Sequence, residues 1–369
     1  MPSSKVTMSL AADESIRLAA VLLLIGASLA PNRTIGAQKG PTPAAAQPLV
    51  LERQGSFFVG GQLRHTIVDG NKAGLFDLGN EDDVMVNQMY VQYQIPQNHG
   101  AHLPLVLIHG GSLSGKTWET TPDGRMGWSE YLVRRGWPVY VPDQTSRGRS
   151  GFDATLFNKA KADTGSSVDL PRVLTIGRYT AWKLFRFGPE YPNAFADQQF
   201  PVAAFDEFAK QVIPDLNATV PTPNPTFANL SSLAAQLKGA VLIGHSESAF
   251  FPQRAAMNDP SGVRGIISIE GSCPTNLAAQ ELSALARIPT VFVWGDHVED
   301  SPVPAWKSAF TACQQLVKQL VGAGGDATML HLPKVGLKGN SHMLMQDLNN
   351  LKVADLLLDW VRKHVRPSR

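Results

Sequence analysis

Apolar positions in this chain cluster in short, mostly uninterrupted runs. Leu103-Pro104-Leu105-Val106-Leu107-Ile108, Trp137-Pro138-Val139-Tyr140-Val141, Val241-Leu242-Ile243, Gly265-Ile266-Ile267-Ser268-Ile269 and Pro289-Thr290-Val291-Phe292-Val293-Trp294 are of this kind. A continuous run of this length suits a strand covered on both faces, as in a parallel sheet under two layers of helices. Helical spacing fills the gaps at residues 128–135, 249–257 and 306–320. The last element, 351–365, places Val353, Leu356, Leu357, Trp360 and Val361 on one face. A further strand is expected at 327–332. Residues 55–97 behave differently and alternate, as antiparallel strands do. Phe57-Phe58-Val59 runs into Gly60-Gly61, a hairpin-type turn, and Val84-Met85-Val86 leads through residues 89–95 to a stop at Pro96. Strands that alternate with helices predict an α/β fold, with a mostly parallel central sheet and helices on both faces.

Residues 151–235 break that rhythm. They are rich in proline and aromatics (Trp182, Phe185, Phe187, Tyr191, Phe195, Phe200, then Pro221-Thr222-Pro223-Asn224-Pro225) and read as a cap inserted over the strand ends. The core then has two parts, residues 55–150 and 236–369. At the other end, residues 18–30 form an apolar run behind Lys5 and Arg17, which is the layout of a secretory signal peptide over residues 1–37. The run is shorter than the roughly 20 apolar residues a membrane span needs, so no stable span is expected. Residues 38–54 (mostly Pro, Ala, Gln and Gly at first) read as a disordered linker. The chain is therefore expected to be secreted or periplasmic.

Composition narrows the class. With 43% hydrophobic and 17% charged residues, the 369-residue chain can bury a large core. A formal charge of +2 with scattered Lys and Arg leaves no footprint for nucleic acid. Two cysteines exclude a disulfide-dense scaffold and a cysteine-rich zinc site. In an oxidising compartment Cys273 and Cys313 can pair; two buried free thiols are the alternative. Asn32, Asn217 and Asn229 begin glycosylation sequons, which matter only in a eukaryotic secretory route.

The candidate chemistry centres on Gly244-His245-Ser246-Glu247-Ser248, at the end of one buried run and the start of a helical one. A tight strand–turn–helix of this type lifts a serine hydroxyl above the sheet, where a histidine can reach it. Ser248 stands where the usual pattern has a second glycine. A serine nucleophile needs a base, a carboxylate to orient that base and donors for the oxyanion. His109-Gly110-Gly111-Ser112 ends a central strand, so the N–H groups of Gly111 and of Glu247 are the expected oxyanion donors. His342, in the Gly/Asn/Ser loop after the last strand, is the expected base, with His297 as its competitor. Glu270, at the end of the strand after the nucleophile, is favoured as the acid, because a carboxylate at a buried strand end is costly unless paired. Asp296, one strand later, is the alternative acid. This chemistry requires no metal and no cofactor.

The chain also resembles a known family. Asn87-Gln88-Met89-Tyr90-Val91-Gln92-Tyr93-Gln94-Ile95-Pro96, Thr117-Trp118-Glu119-Thr120-Thr121-Pro122-Asp123-Gly124-Arg125-Met126-Gly127-Trp128, Phe185-Arg186-Phe187-Gly188-Pro189 and Gly339-Asn340-Ser341-His342-Met343 carry the likeness. So do Pro221-Thr222-Pro223-Asn224-Pro225-Thr226 and Gly295-Asp296-His297. Across residues 55–365 the chain is similar to the secreted α/β-hydrolase esterases typified by the bacterial esterase of Alcaligenes. The resemblance implies a capped α/β-hydrolase, a small-molecule carboxylic ester as substrate, export and a homodimer. It further implies a Ser246–Glu270–His342 triad and a disulfide between Cys273 and Cys313. Two departures from the family pattern stand out: Gly111-Ser112 replaces a Cys-Cys pair, and Glu247 replaces a Gln. A carboxylate beside the serine would disfavour anionic substrates, whereas the cap's aromatics suggest an apolar or aryl-bearing ester. The alternatives are an amidase or lactonase with the same triad, and a non-catalytic binding protein of the same fold.

Overall fold

The computed structural model describes residues 47–366, apart from 163, 164 and 166–169; the signal-peptide segment and most of the linker lie outside the described residues. Eight strands form one sheet: β1 Leu51–Ile67, β2 Glu81–Pro96, β3 Leu105–Ile108, β4 Val139–Pro142, β5 Ala240–His245, β6 Val263–Ile269, β7 Thr290–Trp294 and β8 Ala327–His331. Their spatial order is β1-β2-β4-β3-β5-β6-β7-β8. β1, β2 and β4 pair antiparallel, and every contact from β4 through β3 to β8 is parallel. This is the mostly parallel sheet expected from the pattern of runs, in the α/β-hydrolase arrangement that the family resemblance implies.

The two-sided burial is visible in β3. Leu105 and Leu107 enter one core with Trp128, Leu132, Val353 and Leu357, while Val106 and Ile108 enter a second with Leu230, Phe251, Phe310 and Leu316. Strand alternation alone produces this division, since successive side chains point to opposite faces. The first core is roofed by α1 (Trp128–Arg134) and α9 (Asn350–His364), joined by a bond from Trp128 Nε1 to Asn350 O at 2.9 Å. The second lies under α5 (Pro225–Gln236), α6 (Phe251–Asn258) and α8 (Pro304–Gly322).

Strand order reverses between β3 and β5. Connections leave these neighbours in opposite directions, which opens a crevice beyond their C-terminal ends. The two loops carrying the expected chemistry, after Ile108 and after His245, both start there.

Two expectations change. Gly60-Gly61 is not a turn: β1 runs straight through it, Gly60 opposite Gln88 and Gln62 opposite Val86, and the chain reverses only between Ile67 and Glu81. Gly60 has φ 68°, and a Cβ there would stand 2.0 Å from Asn229 Oδ1 of α5, so its glycine serves close helix approach. The same Asn229 is buried, so its sequon is closed to modification in the folded chain. In addition, the stretch read as linker ends earlier than residue 54, because Leu51 and Arg53 already face Pro96 and Ile95.

The inserted segment carries α2 (Thr155–Lys161), α3 (Arg178–Leu184) and α4 (Phe205–Ala209). Its final helix, α5, starts inside the Pro-rich run: Asn224 caps it by accepting from Thr226 N at 2.9 Å, and Pro225 occupies the first turn. Phe187, Phe200 and Phe208 are wholly buried; Phe187 stacks on Phe200 with centroids 3.9 Å apart, and Phe208 meets both edge-on. These rings extend the first core, in one cluster with Trp128 and Val353. Buried in this way, Phe187, Phe200 and Phe208 face one another, whereas Phe185 of the same segment lies against His342.

Candidate active site

Ser246 follows β5 directly, with φ 58° in the left-handed region that a non-glycine residue adopts only when its surroundings impose it. Ser248 supplies part of that constraint. Its Oγ accepts from His245 N at 3.0 Å and donates to Ile108 O at 2.9 Å, fastening the turn to the end of β3. A serine in place of the second glycine therefore locks the elbow.

Ser246 Oγ lies 2.8 Å from His342 Nε2, and His342 Nδ1 lies 3.2 Å from Glu270 Oε2. The three come from the ends of β5 and β6 and from the loop after β8, so the sheet sets their spacing. His342 and Glu270 are fully buried. Burial lowers the imidazole's affinity for a proton, and the hydrogen bond to Glu270 offsets only part of this, so His342 titrates below an ordinary histidine. Burial pulls the Glu270 carboxyl the other way. Arg186 and the His342 hydrogen bond together outweigh that and hold it at about 2. Near neutral pH this places a neutral imidazole between a hydroxyl and a carboxylate.

Glu270 Oε1 accepts from Arg186 Nη2 at 2.7 Å and from Gly295 N. Asp296 and His297 are not brought to the serine. Asp296 Oδ2 accepts from Gly339 N at 2.9 Å and its N–H donates to Asn340 O at 2.8 Å, so it braces the loop of the base. His297 pairs with Asp197 at 2.8 Å and stacks on Phe195.

The expected oxyanion loop is in place beside the nucleophile: a Cβ on Gly110 would stand 2.8 Å from Ser246 Cβ. Glu247 is the second residue of a short 3-10 helix, Ser246–Phe250, whose leading N–H groups have no acceptor within the helix. The Glu247 carboxylate bends over Gly111 and is held by Asn217 Nδ2 and by Arg147 Nη2 at 3.2 Å. Arg147, itself buried, also binds Asp215 Oδ2 at 2.8 Å. Burial pushes the Glu247 carboxyl up, and Arg147 counters it.

Four contributors escaped the sequence reading. Arg186 lay inside a run notable only for its family likeness, and nothing in the local pattern marks an arginine for burial. Arg147 and Asp215 meet only across the fold. Asp347 is the fourth: its carboxylate accepts from Ser341 N at 2.9 Å, Ser341 Oγ at 2.6 Å and Asn340 Nδ2 at 2.9 Å, which fixes the two residues before His342. The density of Asn, Ser and Asp from 340 to 350 is the one signal that hinted at such a knot. Elsewhere Cys273, three residues beyond Glu270, is bonded to Cys313 of α8.

No protein-family model matches the chain. Among solved structures, a bacterial esterase determined at atomic resolution is 45% identical, covers 87% of this chain and 98% of its own, and superposes with a TM-score of 0.82. Among curated proteins, the probable secreted lipase phiG of a fungal species (strain ATCC 74256) is 26% identical over 319 residues, 74% of this chain and 86% of the lipase.

Proposed function

The chain belongs to the α/β-hydrolase family of that bacterial esterase and is a carboxylic ester hydrolase; from this premise we propose that it works through an acyl-enzyme on a Ser246–His342–Glu270 triad. The observation that carries the reading is the unbroken line of contacts, 2.8 Å from Ser246 Oγ to His342 Nε2 and 3.2 Å from His342 Nδ1 to Glu270 Oε2. His342 takes the serine proton as Oγ bonds to the ester carbonyl carbon. The N–H groups of Gly111 and Glu247 receive the negative charge that builds on the carbonyl oxygen. The imidazolium then returns its proton to the leaving alkoxide, the C–O bond breaks, and the acyl group stays on Ser246. Water repeats the sequence with His342 again as base, releasing the acid. Glu270 keeps its charge throughout, holding the Nδ1–H tautomer and stabilising the imidazolium.

Residues 151–235, in this reading, cap the site and reach the elbow through Asn217. Export fits the apolar run at 18–30, the Cys273–Cys313 bond and the secreted relative. Among the described residues no helix is long and apolar enough to cross a membrane. A homodimer is part of the same proposal, on family likeness.

The test is labelling of Ser246 by a fluorophosphonate together with turnover of matched ester and amide substrates. Labelling, ester turnover and loss of both in Ser246→Ala are the expected results. Folded protein that neither labels nor turns over esters would leave the fold with a binding role. Preferential amide turnover would move the natural bond from ester to amide.

A further inference from the structure

The mechanism above uses one oxygen of Glu270. The other, Oε1, faces away from His342 and accepts from Arg186 Nη2 at 2.7 Å, with both side chains at 0% exposure. Arg186 Nε donates to Asp296 O at 2.9 Å, and its guanidinium lies 5.9 Å from the Trp306 ring centroid. A guanidinium stripped of water is strongly unfavourable unless it offsets another buried charge. The neighbouring residue holds the base as well: Phe185 O accepts from His342 N at 2.9 Å, and the Phe185 ring stacks on the imidazole at 5.5 Å and 17°. Arg186 has φ 55°, so one left-handed turn aims a carbonyl at the base and a cation at the acid.

We propose that Arg186 is a positioning residue of the active site, keeping Glu270 ionised and its Oε2 directed at His342. The inserted segment that carries it then belongs to the catalytic apparatus and is more than a cover. This role rests on the triad reading.

The charge makes it separable from packing. Without the Arg186 cation, Glu270 and a neutral His342 together carry a net negative charge, and the pair takes up a proton more readily. That uptake belongs to the pair, so the acidic limb of kcat/KM moves to higher pH whichever atom holds the proton. The surrounding groups do not mask this. His245, at the end of β5, has Nε2 2.9 Å from His342 O and is kept neutral by burial, pushed down to about 3. His331 of β8 is lowered chiefly by burial. Asp347, in the base's own loop and tied to Ser341 and Asn340, is pushed up to about 7 by burial; it is present in wild type and in both Arg186 variants, so the displacement of the limb between them still reports Arg186. Phe185 and Trp306, the aromatic faces against the imidazole, bring no charge.

The experiment measures kcat and KM against pH for a short-chain p-nitrophenyl ester with Arg186→Gln and Arg186→Lys. Gln keeps a donor and loses the charge; Lys keeps the charge and loses the fork. In Arg186→Gln, kcat should fall on the order of a hundredfold and the acidic limb should rise by about one pH unit. In Arg186→Lys the limb should stay in place while kcat falls roughly tenfold, with KM within about threefold. An equal loss of kcat in both variants with neither limb moved would assign Arg186 to packing and overturn the proposal, as would wild-type kcat in Arg186→Gln. If Arg186→Gln does not fold, the double variant Arg186→Gln/Glu270→Gln decides: recovery of the fold once the carboxylate is neutral shows that the cation answers the Glu270 charge and upholds the role, and continued failure to fold assigns Arg186 to packing and ends it. Ser246→Ala is run alongside. If it is inactive while the Arg186→Gln limb is unmoved, only the Arg186 role is lost; if it still turns over ester, the triad itself is lost.

Discussion

A histidine accepts a proton only while it is neutral, and burial keeps His342 neutral further into acid than an ordinary imidazole. The acidic midpoint of kcat/KM is therefore expected below the 6.5 of an ordinary histidine, and a midpoint above neutrality would contradict the environment described for it. Glu270→Gln should lower kcat by roughly 10² to 10⁴, since the wrong tautomer of His342 cannot take the serine proton. Asp296→Asn should cost less than about tenfold, because that carboxylate accepts from Gly339 and His297 N–H groups and does not face the base. Should Asp296→Asn prove the more damaging of the two, the acid has been misassigned. Asp347 works on stability with the opposite sign to Glu270. Burial pushes its carboxyl up to about 7, so the folded chain holds a proton that the unfolded chain has released above about pH 4. Stability from this group falls as pH rises from about 4 to 7 and is level beyond. Glu270, held at about 2, contributes stability that is complete above about 4.3 and is lost as pH falls through that range. Asp347→Asn should accordingly flatten the dependence of Tm on pH between 4 and 7; an unchanged slope would show that the loop holds no such proton. None of these values was legible from residue types alone. Ser246 and His342 were, because a tight turn after a buried strand and a polar loop after the last strand leave local marks.

At the scale of elements, the contacts that matter tie pieces far apart in sequence. The Cys273–Cys313 bond spans 40 residues and fastens the loop beyond Glu270 to α8. Closing a loop of that length limits the unfolded chain by up to roughly 4 kcal/mol in the chain-entropy model. α8 also carries Trp306, whose ring lies 4.5 Å from His342. Cys273→Ser/Cys313→Ser should therefore lower Tm clearly while leaving KM close to wild type, and a Tm that did not move would place the bond among those with little effect. The β1–β2 hairpin shows why an element can be misread. Gly60-Gly61 carries every local sign of a turn, yet the pairing continues through it, because the glycine is required by Asn229 of α5 and not by a reversal of the chain. Gly60→Ala would meet that side chain at 2.0 Å with φ 68° and is expected to destabilise the protein by about 1–3 kcal/mol in denaturant unfolding.

For the molecule as a whole, export and pairing are the open quantities. The mature chain should begin between residues 31 and 38 when recovered from outside the cell, as read by terminal sequencing, and should sediment as a homodimer. A monomer across the working concentration range would remove the second expectation and leave the contacts among Ser246, His342 and Glu270 untouched, since all three lie in one chain. The runs of apolar residues determined the class of fold and the order of its strands along the chain, and the turn and polar loop at two strand ends marked Ser246 and His342. Those depend on local composition and spacing, which one stretch of sequence carries complete. The choice of Glu270 over Asp296 for contact with the base required the tertiary structure. So did the fate of the cap aromatics, the hold on Glu247 and the burial of Arg186 against the acid. Each of these is an interaction between segments dozens of residues apart, with an energy that depends on distance, burial and the charges nearby. The turn around Ser246 is written in eight consecutive residues, whereas the environment of His342 is assembled from separate parts of the chain.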